Sequence, residues 1–225
     1  MKRAVLTGAL GGALTLLGGC DISHNHVTGT VTGSGNLVTE SRPVGGFAAV
    51  SVSGAGHLTI EQTGVESLVI TAEDNLLPHI RSEVVGDRLY LGPAPGVNVT
   101  GTREVQYRLT VRDLTGIEAS GASRVEAHGL HTTQLASVFS GASSFDASGS
   151  ADAHVIVLSG ASRAEAPDLR SRVVTATVSG ASFGVLRVSG SLVATASGGS
   201  TLEYYGSPVL VTNVSGGSVI RRVGS

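Results

Sequence analysis

Ser-Gly-Ala-Ser begins at Ser120, Ser140, Ser159 and Ser179 and Ser-Gly-Gly-Ser at Ser197 and Ser215, so one short motif returns at steps of 20, 19, 20, 18 and 18 residues. A step this regular makes each repeat one structural unit stacked on the next. A propeller blade needs about 40 residues, and alternate copies do not differ, so they do not pair into blades. The dense leucine consensus of a leucine-rich repeat is missing. A step of 18 to 20 residues suits one coil of a β-solenoid, in which short strands stack in parallel on those of the next coil at about 4.8 Å.

The residues ahead of each motif alternate as a strand does when one face is buried. Phe139, Leu158, Val178, Ala196 and Val214 directly precede the serine, and Leu135, His154, Val174, Leu192 and Leu210 lie five residues before it. Ser137, Ile156, Ala176, Ala194 and Thr212 fall between, and all three sets read as inward positions. After the motif a second strand is expected, with Val125, Phe145, Ala164, Gly184, Leu202 and Ile220 inward. Its outward residues include Arg124 and Glu126, Ser144 and Asp146, Arg163 and Glu165. Glycine at the corner permits the positive φ of a tight bend, and the flanking serines satisfy local backbone groups.

Ahead of the array the chain is β-rich but less regular. The segments 57–60, 67–71, 88–91 and 105–111 alternate like strands between Gly, Pro and Asp turns. An earlier corner, Ser53-Gly54-Ala55-Gly56, links this part to the array. Residues 36–115 therefore read as a cap and first coil, and 116–225 as the repeat array, of one all-β domain spanning 36–225. A cap is needed because an open solenoid end invites strand addition. Asp74 to Pro78 has room for one helical turn or a bend, and no long helix is evident.

The amino terminus points to export. Met1-Lys2-Arg3 is a short positive region and Ala4 to Leu17 an uncharged run too short to span a bilayer, as in a secretory signal peptide. Leu17-Gly18-Gly19-Cys20 resembles a bacterial lipobox, which implies removal of residues 1–19 and acylation of Cys20. Residues 20–35 then read as a lipidated flexible tether, and the membrane becomes a partner through the lipid anchor. Asp21 is a residue that in enteric bacteria favours inner-membrane retention, so the leaflet stays open. His24 and His26 supply two metal-ligand types without a third, and read as solvated.

Composition narrows the chemistry. The only lysine is Lys2 and the only cysteine is Cys20, which excludes a P-loop lysine, a Schiff-base lysine, a zinc knuckle and a disulfide framework. Without residues 1–19 the chain carries 13 arginines against 17 carboxylates, a formal charge of −4. A mildly acidic chain without a basic, aromatic-interleaved patch is not expected to bind nucleic acid. No cofactor is expected.

A wider set of motifs now points to a family. Arg42-Pro43-Val44-Gly45-Gly46-Phe47-Ala48-Ala49-Val50-Ser51-Val52-Ser53-Gly54-Ala55-Gly56, Glu73-Asp74-Asn75-Leu76-Leu77-Pro78, the Ser-Gly-Ala repeats and Tyr204-Tyr205-Gly206-Ser207-Pro208 resemble the DUF2807 family, the GIN domain of adhesin heads. The resemblance runs from about Asn36 to Val223. It implies a right-handed parallel β-helix in an exported, often lipidated bacterial protein, with no catalytic residues to carry over. Where family repeats read Ser-Gly-Ala-Gly-Asp, this chain has Ser123, Ser143, Ser162 and Ser182, followed by Arg124, Ser144, Arg163 and Phe183.

Candidate chemistry is sparse. Gly180-Ala181-Ser182-Phe183-Gly184 matches the nucleophile-elbow pattern, but that motif belongs on a strand-to-helix turn, and here it is one of four equivalent corners. Glu126, Asp146, Glu165 and Glu203 share one repeat position and form a column interrupted by Val185. Stacked carboxylates are able to bind calcium or act on a sugar. Arg124 and Arg163, two residues earlier on the same face, instead make the column a partly neutralised surface row. His128 and His131 occupy one repeat only and read as exposed loop residues. The reading is a non-enzymatic, lipid-anchored module of the bacterial cell envelope presenting a β-helix face to a glycan or an envelope protein. The alternative is a carbohydrate-active β-helix lyase or hydrolase using the stacked carboxylates. Flat Ser/Thr faces also suit association into a homo-oligomer.

Overall fold

The computed structural model describes residues 29–224. Residues 1–19, expected to be a signal peptide, and Cys20, Asp21 and the His24/His26 pair lie outside the described residues. The early strands are β1 (Gly29–Thr32), β2 (Leu37–Arg42), β3 (Ala49–Val52), β4 (Gly56–Gln62), β5 (Ser67–Glu73), β6 (Ile80–Val85), β7 (Arg88–Pro93), β8 (Val97–Thr100) and β9 (Val105–Val111). The array follows as β10 (Gly116–Ala119), β11 (Arg124–Phe139), β12 (Ser144–Leu158), β13 (Arg163–Val178), β14 (Phe183–Ala196), β15 (Thr201–Tyr205), β16 (Val209–Val214) and β17 (Val219–Gly224).

The strands wind into stacked parallel coils of a β-solenoid. One sheet runs β7, β3, β10, then the carboxyl-terminal halves of β11 to β14, then β16, every neighbour parallel. The second runs β9, β4, the amino-terminal halves of β11 to β14, β15 and β17, also parallel. The cap closes the amino-terminal end of both: β6 is antiparallel to β7, β5 to β9 and β2 to β5. Such antiparallel cover removes the free parallel edge. A single 3₁₀ turn, Leu77–His79, follows Asp74 to Leu76.

Three sequence expectations are corrected. Gly29–Thr32, placed in the tether, is a strand paired in parallel with β8. His128 and His131 lie within β11 rather than in a loop, because Gly129 takes φ 66° and lets the strand bend while the register slips between Ala127 and Leu130. Leu210 and Val214, read as inward, are 42% and 46% exposed in the final coil. They stay in register with Leu192 and Ala196, but no described strand stacks over them.

Elsewhere the core follows the repeat. Phe139, Leu158, Val178 and Ala196 are fully buried, as are Leu135, Val174, Leu192, Val125, Phe145, Ala164 and Leu202. Corner glycines 54, 121, 141, 160, 180, 198 and 216 all have positive φ. Their carbonyls tie the coils together: Ala122 N donates to Gly54 O at 2.7 Å and Ala142 N to Gly121 O at 2.8 Å. The serines closing the corners at glycines 121, 141, 160, 180 and 198 are buried, and Ser143 Oγ and Ser162 Oγ donate 2.7 Å bonds to the carbonyls of Ser140 and Ser159.

Candidate functional site

Because side chains alternate across a strand and coils stack in register, outward residues of the second sheet form columns. One column reads His57, Arg124, Ser144, Arg163, Phe183 and Thr201, and the next Thr59, Glu126, Asp146, Glu165, Val185, Glu203 and Arg221. The four carboxylates singled out in the sequence thus share one column, with Val185 between Glu165 and Glu203.

Most of them are paired. Arg124 Nε lies 3.2 Å from Glu126 Oε1, and Arg163 bridges to Glu165 on its own strand. Arg221 Nε donates to Glu203 Oε1 at 2.9 Å from the coil above. Glu126 has further neighbours: His57 Nε2 at 3.3 Å, buried and without a hydrogen bond of good geometry, and His128 Nε2 at 3.9 Å. Asp146 differs because Ser144 stands where the flanking coils carry arginine. Its carboxyl is held above the usual aspartate range by partial burial and by the charges of Glu126 and Glu165, against the opposing pull of His128.

Ser144 also leaves a notch of about 130 Å³ between Arg124 and Arg163, floored by Phe145 and edged by Asp146 and Glu165. Phe183 completes the neighbourhood, with the Arg163 guanidinium 4.4 Å from its ring centroid. The arrangement is a shallow, mixed-charge stripe able to meet a polyhydroxylated or charged polymer along several coils. Among the described residues no group of three or more His, Cys, Asp or Glu side chains is placed to hold a metal ion. Ser182, the serine of the elbow-like motif, is 2% exposed at its corner, its Oγ 3.4 Å from Gly160 O. The pairing of Arg221 with Glu203 and the approach of His57 to Glu126 are absent from the sequence reading; the one-coil register between neighbouring strands is the signal that finds them.

A crystal structure titled "putative adhesin" from Bacteroides fragilis is similar over 86% of this chain and 100% of its own, at 21% identity and a TM-score of 0.71. Structures of the same description from Parabacteroides merdae (17% identity, 86% of this chain and 99% of theirs, TM-score 0.53) and Parabacteroides distasonis (16%, 87% and 100%, 0.54) share the fold more loosely. At these identities the likeness is one of fold. No curated protein matches the chain. The family model described as "Putative auto-transporter adhesin, head GIN domain" matches residues 46–208, and the chain belongs to this family, DUF2807.

Proposed function

We propose that the chain is a non-enzymatic, adhesin-like module of the bacterial cell envelope, anchored through acylated Cys20, whose second sheet binds a glycan along its arginine and carboxylate columns. The observation that carries this reading is the register of Glu126, Asp146 and Glu165 on successive coils beside Arg124 and Arg163. Paired ions on a flat sheet offer many hydrogen-bond donors and acceptors at a spacing of about 4.8 Å, and suit a polymer lying across the coils. The adhesin descriptions of the family and of the solved relatives support an envelope or extracellular location.

One observation favours a second reading. Asp146, with its raised pKa between two carboxylates, has the character of a general acid in a glycan-cleaving site. The two readings separate in one experiment. The chain lacking residues 1–19, with Cys20→Ser, is incubated with a polysaccharide panel, and both retention and released products are recorded. Retention without product supports the binding module. Product release abolished by Asp146→Asn or Glu165→Gln makes the protein an enzyme instead.

A further inference from the structure

On the second sheet every acid of the array's carboxylate column is answered by an arginine except one. Arg124 reaches Glu126 and Arg163 reaches Glu165 from two residues ahead on the same strand. Glu203 has Thr201 at that place, and Arg221 takes over from the next coil. Val185 has no charge to balance. Asp146 has Ser144 two residues ahead and a carboxylate, Glu126 or Glu165, on the coil to either side. Glu126, Glu165 and Asp168 repel its ionised form, and His128 is the cation that acts to stabilise it. His128 is charged only when protonated, and its Nε2 lies 3.9 Å from Glu126. Partial burial and the unbalanced negative charge hold the Asp146 carboxyl above the usual aspartate range. A cation arriving from outside relieves both.

The notch left by Ser144 has room for that cation. Its hollow of about 130 Å³ lies between Arg124 and Arg163 with Asp146 and Glu165 at its edge. That is well below the roughly 300 Å³ of pockets that enclose a whole small molecule, so it admits one functional group of a larger ligand. On the coils to either side the equivalent register position carries a guanidinium that pairs with the carboxylate two residues on. The repeat therefore dictates what completes the middle coil: a cation that donates hydrogen bonds. An ammonium has three donors, and the Asp146 carboxylate and the Ser144 hydroxyl are acceptors for it. A metal ion fits less well, since among the described residues no three ligating side chains converge to hold one.

We propose that the Ser144 notch seats the protonated amine of an amino sugar against Asp146, so that the polymer bound by the second sheet is one carrying free amino groups, an assignment that rests on the reading of this sheet as a glycan-binding face. Asp146 is then the residue that selects the glycan, and the ion pairs of Glu126 and Glu165 hold the two arginines away from it.

The test titrates two oligomers of equal length, one of glucosamine and one of N-acetylglucosamine, into the chain lacking residues 1–19 with Cys20→Ser, by calorimetry near pH 6. The glucosamine oligomer is expected to bind at least tenfold more tightly, the scale of one hydrogen bond to a charged group. Asp146→Asn and Ser144→Arg, the second placing a guanidinium where the ammonium would sit, are each expected to erase that preference. Glu83→Gln on β6 and Thr175→Arg on the first sheet change the net charge equally but elsewhere, and are expected to keep it. Equal affinity for the two oligomers, a preference that survives both notch variants, or one lost equally in the two remote variants would overturn the amine assignment while leaving the glycan-binding face in place. Failure of both oligomers and of every polysaccharide of the panel to bind would remove the face and the assignment together. Oligolysine bound as tightly as the glucosamine oligomer, and lost in Asp146→Asn, would make the notch a seat for basic peptides and overturn the sugar assignment.

Discussion

Gly141 sits so closely over Gly121 that a β carbon on Gly141 would lie 2.5 Å from the Gly121 carbonyl oxygen. The glycine is also at φ 73°, so two constraints act at once: a left-handed backbone and a coil-to-coil approach with no room for a methyl group. Gly129 shares only the first, with φ 66° and open space where a β carbon would go. Gly141→Ala is expected to cost about 3 kcal/mol and Gly129→Ala about 1 kcal/mol, measured by urea unfolding. Equal losses would mean that the stacking of corners adds nothing beyond backbone strain.

Glu73 ties the cap together. Although 1% exposed, its carboxylate accepts from the backbone N–H of Gly35, from Thr102 N at 2.6 Å, Thr102 Oγ1 at 3.0 Å and Arg103 N at 3.0 Å. These bonds hold its pKa below the ordinary 4.5, the Gly35 bond most strongly and against the effect of burial. A depressed folded-state pKa means that the stabilisation is complete above the unfolded value and is lost as pH falls below about 4.5 through the folded value. Glu73→Gln is expected to lower stability at pH 7 and to flatten the acid limb of the unfolding profile. A variant with the wild-type pH profile would remove Glu73 as the source.

His154 is a polar member of an otherwise apolar column, 2% exposed with Nε2 3.0 Å from Ser137 Oγ. Burial lowers its pKa from 6.5 to about 4, so the fold holds it neutral while the unfolded chain protonates first as pH falls. Its contribution is therefore complete above pH 6.5 and is lost progressively down to about 4, by up to about 3 kcal/mol at 1.36 kcal/mol per pK unit. His154→Leu is expected to remove that slope while changing stability at pH 7.5 by no more than about 1.5 kcal/mol, the loss of the Ser137 bond offsetting the gain in apolar packing. A slope that survives the substitution would place the titration elsewhere.

The repeat made the array legible because every coil obeys the same two rules: alternation across a strand and glycine at the corner. Phe139, Leu158, Val178 and Ala196 are buried for that reason. The cap was harder to read because its coil is out of chain order. β7 and β9 stack beneath β3 and β4, which precede them in sequence, and the corner signature is replaced by Gly92, where a β carbon would lie 2.7 Å from Ser53 O. The column of Glu126, Asp146 and Glu165 followed directly from the step length. Glu73 did not stand out, since its partners are backbone groups and one threonine hydroxyl in the turns at Gly35 and Thr102, which no local pattern links to it.

The claim that the second sheet binds a glycan without cleaving it is tested most directly by calorimetric titration of a retained polysaccharide, with polymer length measured before and after. Wild-type protein is compared with Glu126→Gln/Glu165→Gln and with Thr175→Arg, which lies on the outer face of the first sheet. Saturable binding is expected, weakened at least tenfold by the double substitution and unaffected by Thr175→Arg, with a polymer of unchanged length. A shortened polymer, or binding that depends on Thr175 and not on the carboxylates, would contradict it.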